Sequence, residues 1–77
     1  MTYRQQTRIL EALQNLGPLP LPIIRQKIGR YNLGVEEDIY GLVSASYVRR
    51  ERAGFSITNN GLRELNRRQS PHLTILI

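Results

Sequence analysis

The sequence predicts a mainly α protein with a small β-hairpin, an α+β fold ordered helix, short strand, helix, helix, strand, strand, helix. Three observations carry the prediction. Apolar residues recur at helical spacing in separate stretches along the chain. Gly, Pro, Asn and Thr punctuate the gaps between them. Between residues 47 and 58 the pattern switches to aromatic and β-branched residues on either side of a tight turn. A chain of 77 residues with a hydrophobic fraction of 40% has enough for one small core and no more. Residues 1–69 are read as the folded domain and 70–77 as an apolar tail.

Helix 1 is placed at 3–16. Ile9, Leu10, Leu13 and Leu16 share one face, Thr2 is a candidate N-cap, and Gly17-Pro18 ends the helix. Leu19-Pro20-Leu21 is short and proline-rich, which suits only a brief edge strand. Pro22 fits the first position of helix 2, placed at 22–28, where a missing N–H costs nothing. Ile23, Ile24 and Ile28 give its apolar side and Gly29 closes it. Helix 3 is placed at 33–44, with Asn32 as a candidate N-cap. Val35, Ile39, Leu42 and Val43 form its core face, and Glu36-Glu37-Asp38 sit where the helix dipole favours negative charge. The short connection between helices 2 and 3 is that of a helix-turn-helix.

Tyr47 to Arg52 reads as a strand, Ala53-Gly54 as the turn, and Phe55-Ser56-Ile57-Thr58 as the returning strand. Thr58 or Asn59 caps helix 4, placed at 60–68, with Leu62 and Leu65 as its apolar side and Glu64 paired to Arg68 four residues on. Ser70-Pro71 stops it. The tail, Leu73-Thr74-Ile75-Leu76-Ile77, reads as a docking or dimerisation strand.

Charge narrows the function. Eleven basic residues against six acidic give +5, and the pI is about 10.5. Such a field draws polyanions. All the basic residues but Lys27 are arginine, suited to bidentate contacts with phosphate and guanine. With no cysteine there is neither a disulfide framework nor a thiolate metal site. His72 stands alone. No nucleophile–base set, Gly-rich phosphate loop or metal-loop spacing is present, so no enzyme, cofactor, metal or small-molecule ligand is expected. The amino-terminal residues show no signal core, and no apolar run is long enough to span a bilayer. The expected location is cytoplasmic, on the nucleoid if the protein is DNA-bound.

Three stretches resemble the winged helix-turn-helix superfamily of DNA-binding regulators, over about residues 7–66. Arg8-Ile9-Leu10-Glu11-Ala12-Leu13 with Gly17-Pro18-Leu19 is similar to the family's first helix and the approach to its second. Val35, Ile39 and Leu42 followed by Tyr47-Val48-Arg49-Arg50 resemble the third helix and first wing strand. Phe55-Ser56-Ile57-Thr58-Asn59-Asn60-Gly61-Leu62-Arg63-Glu64-Leu65 resembles the second wing strand and last helix, where a Leu/Ile-Thr-x-x-Gly pattern is common. The resemblance implies a small transcriptional regulator of prokaryotic or viral type that binds double-stranded DNA with helix 3 in the major groove. It also implies a homodimer, through helix 1 or residues 73–77. The two-residue hairpin tip is shorter than in many relatives and limits reach into a minor groove.

The candidate DNA-contacting residues follow from that docking. Arg25, Lys27, Arg30 and Tyr31 lie on helix 2 and the turn; Glu36, Glu37 and Tyr40 on helix 3; Arg49, Arg50 and Arg52 on the hairpin. The arginines and Lys27 are expected on phosphates. On helix 3 a glutamate can accept from cytosine N4, and Tyr40 can touch a thymine methyl or a phosphate. The competing reading of the acids is that they stabilise the helix start and face solvent. Arg63, Arg67 and Arg68 are read as solvent-facing or paired to acids, and Tyr3, Tyr31 and Tyr47 as core or core-edge residues rather than stacking platforms. Two other functions stay open. One is a winged-helix protein-interaction module without DNA binding, which would show a coherent apolar patch on helix 3. The other is a sequence-indifferent architectural binder.

Overall fold

The computed structural model describes residues 3–28 and 34–69. Their elements run α1 (Tyr3–Leu16), α2 (Leu21–Ile28), α3 (Val35–Ser44), β1 (Val48–Glu51), β2 (Gly54–Ile57) and α4 (Asn59–Gln69). This is an α+β arrangement, mainly helical, with one two-stranded antiparallel sheet. The expected N-cap Thr2, the candidate N-cap Asn32 and the tail from Ser70 to Ile77 lie outside the described residues.

α1 is amphipathic, and it buries Ile9, Leu10 and Leu13 completely or nearly so. It packs against α2, α3, α4 and β2. Gly17 sits at φ 84°, the left-handed position a helix end asks of glycine, and its N–H donates to Leu13 O at 3.0 Å. The chain then runs extended, and Leu19 exchanges two backbone hydrogen bonds with Phe55, at 3.0 and 2.8 Å. The brief edge strand is therefore present as a single bridge. α2 starts one residue earlier than expected. Pro20 O accepts from Ile23 and Ile24 N–H, both at 3.1 Å, so Pro22 falls in the second helical position, where its missing N–H is equally harmless.

α3 begins at Val35, two residues later than the periodicity suggests. Gly34, at φ 81°, occupies the cap position without a side-chain cap, and its carbonyl accepts from Asp38 N–H at 2.9 Å. α3 ends in a Schellman turn. Tyr47 N–H reaches back to Leu42 O at 2.9 Å, and Ser46 N–H to Val43 O at 3.0 Å. The left-handed residue in that turn is Ser46, at φ 66°, a position usually given to glycine.

The hairpin register pairs Val48 with Ile57, Arg49 with Ser56, Arg50 with Phe55 and Glu51 with Gly54. The tip is thus Arg52-Ala53, not Ala53-Gly54. Gly54 is drawn into β2 because a Cβ there would strike the Leu19 carbonyl, and its φ is +129°. Arg52, expected on the strand, stands at the tip and is exposed.

Thr58 joins the hairpin to α4. Its hydroxyl donates to Ser46 O at 2.5 Å and accepts the Gly61 N–H at 3.0 Å, so Thr58 is the N-cap. Gly61 is buried, and a Cβ on it would run into the Tyr47 carbonyl oxygen. The Ile57-Thr58-x-x-Gly61 pattern therefore has a local cause: Thr58 caps the helix and Gly61 lets it press onto the backbone before β1. The inner face of α4 differs from the expected one. Leu65 is fully buried, but Leu62 is 36% exposed, and Gly61 takes the inward place it was assigned.

Ile9, Leu10, Leu13, Ile24, Ile39, Leu42, Val48, Phe55 and Leu65 form the centre of one core. Tyr47 packs at its edge, as expected. Tyr3 does not: it is 57% exposed, and its ring lies under the Arg68 guanidinium, 4.2 Å from the ring centroid.

Candidate nucleic-acid interface

α3 presents a clean stripe to solvent. At about 100° per residue, Glu36, Glu37, Tyr40 and Ser44 fall on one side, and all of them are exposed. The core side carries Val35, Ile39 and Leu42, and also Asp38. The helix holds three acids in its first turn and no basic residue. Those acids are disposed in three different ways.

Glu36 makes an ion pair with Arg25 of α2. Glu37 stands exposed, with no ion pair among the described residues. Asp38 is 0% exposed; its Oδ2 accepts a 2.6 Å hydrogen bond from Gln5 Nε2 of α1, while its Oδ1 has no partner among the described residues. The acidic run is thus not a uniformly negative face. From sequence alone Asp38 reads as a dipole-stabilising surface acid, and the structure corrects this. The signal that places it inside is its spacing, three residues after Val35 and four before Leu42.

Tyr40 is 46% exposed and meets Phe55 of β2 edge to face, with centroids 6.5 Å apart and planes at 76°. Arg50 lies over the same Phe55 ring, 6.0 Å from its centroid. Phe55 therefore ties the exposed stripe of α3 to a hairpin arginine. One turn nearer the start of α3, the Arg25–Glu36 pair ties the stripe to α2. Arg25 and Arg50 are both exposed, and both stand beside the stripe, Arg25 at Glu36 and Arg50 at the Phe55 ring that Tyr40 meets.

The remaining candidates are spread more widely. Arg25 and Lys27 are two positions apart, about 200° around α2, so the side facing α3 carries Arg25 and Lys27 points away from it. Side chains alternate along β1. Arg50 shares the face of Phe55, whereas Arg49 lies opposite with Glu51, at 3.3 Å, and Ser56. The Ser56 hydroxyl and Arg49 together hold the Glu51 carboxyl below its usual range. Arg49 instead borders a shallow polar groove with Ser46, Thr58, Asn60 and Arg63 at the start of α4. Arg30 and Tyr31 lie outside the described residues.

Arg67 and Arg68 of α4 form a structural knot with Glu64. Glu64 bonds Arg67 at 2.6 Å and Arg68 at 2.7 Å, the second being the expected i,i+4 pair. Arg68 also reaches Thr7 of α1 at 3.0 Å and, with a side chain only 6% exposed, locks α4 to α1. The hydrogen bond from Arg67, then that from Arg68, pulls the Glu64 carboxyl down to about 2 against some opposing burial.

No protein-family model, curated protein or solved structure matches the chain. Among the described residues, no helix is long and apolar enough to cross a membrane, and no three His, Cys, Asp or Glu side chains gather as a metal site.

Proposed function

We propose that the chain is a winged helix-turn-helix domain that binds double-stranded DNA as a transcriptional regulator, and that it is not an enzyme. The observation that carries the reading is a pair of exposed arginines beside the stripe of α3. Arg25 pairs with Glu36, and Arg50 shares the Phe55 ring with Tyr40 one turn further on. A helix laid in a major groove meets a phosphate strand on either side, and exposed arginines beside it supply the cations such contacts need. Arg52, exposed at the hairpin tip, adds a third cation on the hairpin.

The helix order and the Leu19–Phe55 bridge also support it. The bridge ties the hairpin to the segment between α1 and α2, as a wing is tied to its domain, rather than leaving it a free arm. The acids of α3 oppose DNA less than their number suggests, because Glu36 is paired and Asp38 is inside. A protein-docking module would want an apolar patch on this stripe. Among the large hydrophobic residues described on α3, Tyr40 alone is exposed. A second copy on the other half of a two-fold site, joined through helix 1 or residues 73–77, belongs to the same reading, as does a cytoplasmic, nucleoid-associated location. Titration of random-sequence duplex DNA at several salt concentrations tests it.

A further inference from the structure

We infer that the base-reading surface of α3 is built for pyrimidines: Glu37 accepts from the N4 amino group of a cytosine, and Tyr40 packs on the 5-methyl group of a neighbouring thymine. The inference rests on the DNA-binding reading above and names the class of site it selects.

The argument starts from what α3 lacks. Val35–Ser44 contains no Arg, Lys, Asn or Gln, the side chains that read guanine and adenine through paired contacts. Its polar groups are then reduced further. Glu36 is engaged by Arg25. Asp38 is buried against Gln5. Ser44, in the last turn, is short. Glu37 and Tyr40 are left, three residues apart on the same exposed face. Their rise along the helix is about 4.5 Å, close to the spacing of one base step, so they meet adjacent base pairs.

The chemistry of each fixes its partner. An ionised carboxylate only accepts. The major-groove donors are cytosine N4 and adenine N6, and adenine sets its N7 acceptor beside N6, where it repels a carboxylate. Cytosine is therefore the base for Glu37. The thymine methyl is the apolar group on offer in that groove. The Tyr40 ring is braced at 76° against Phe55, so it offers a fixed apolar surface with little ordering left to do. The preferred site then contains a C·G pair next to a T·A pair.

The test begins with selection of a preferred duplex from a random pool by the full chain. Each thymine of the selected site is then replaced in turn by deoxyuridine, which removes only the methyl group. One such replacement lowers wild-type affinity about fourfold, the worth of one buried methyl. The effect persists in Tyr40→Phe and vanishes in Tyr40→Ala. Glu37→Gln moves the preference at the cytosine to adenine. If duplex binding is intact but every deoxyuridine duplex binds equally, or Glu37→Gln leaves base preference unchanged, the inference is overturned while the DNA-binding reading stands. Absence of binding to any duplex overturns both.

Discussion

Asp38 of α3 and Gln5 of α1 meet inside the core through a 2.6 Å hydrogen bond that, among the described residues, leaves the second carboxylate oxygen unsatisfied. A buried acceptor without a donor costs stability, and removing the one donor it has costs more. Gln5→Met alone is expected to destabilise the fold by about 1–3 kcal/mol. Gln5→Met combined with Asp38→Leu removes both polar groups and is expected to recover most of that loss or exceed it. Urea unfolding of the single and double variants checks the sign. A double variant less stable than Gln5→Met would show that Asp38 has support other than Gln5.

Two positions near the base of the hairpin respond oppositely to glycine geometry. Ser46 carries φ 66° in the Schellman turn after α3, so Ser46→Gly relieves a strained backbone and is expected to stabilise by about 0.5–1 kcal/mol. Gly61 has no room for a Cβ against the Tyr47 carbonyl, so Gly61→Ala is expected to destabilise by about 1–3 kcal/mol despite alanine's better helix propensity. Thermal unfolding of both variants should move in opposite directions.

The Glu64 knot gives the fold an acid dependence. Its carboxyl is lowered from 4.5 to about 2 in the folded protein. The pair therefore contributes its full stability above about pH 4.5 and loses it as the pH falls toward 2. With water screening the arginines, about 1–2 kcal/mol is at stake at neutral pH. The stability difference between wild type and Glu64→Gln should be constant from pH 7 to 5 and shrink progressively below that. A difference that does not change with pH would contradict the ion-pair account.

Much of this was legible in the sequence because it depends on neighbours in the chain. The glycine stop of α1, the Thr58 cap and the Glu64–Arg68 pair are local features, and each is found at its expected residue. What was not legible depends on tertiary partners. Asp38 reads as a surface acid until Gln5 of α1 is placed beside it. The hairpin tip shifts by one residue because Leu19, distant in sequence, demands a glycine opposite its carbonyl. Tyr3 looks like a core residue, yet it serves as a lid on Arg68. The candidate contact set divides for the same reason. Arg25 and Arg50 are drawn to α3 by Glu36 and Phe55, while Lys27 and Arg49 fall on other faces.

That division gives a graded expectation for binding. Arg25→Gln removes a cation beside α3 and also frees Glu36 to repel phosphate, so it should weaken duplex binding more than Lys27→Gln at the same salt. Fluorescence anisotropy with one labelled duplex measures both. Equal losses would mean that the groove is approached from a side other than the exposed face of α3.

The most direct test of DNA binding is the affinity for random-sequence duplex DNA across a salt series. Each phosphate neutralised contributes a slope of about −0.9 in log affinity against log salt. With Arg25, Arg50 and Arg52 on phosphates, the expected slope is about −3, with micromolar or tighter binding at low salt. No binding at low salt, or an affinity indifferent to salt, would contradict the account and leave the +5 charge as a solvated surface.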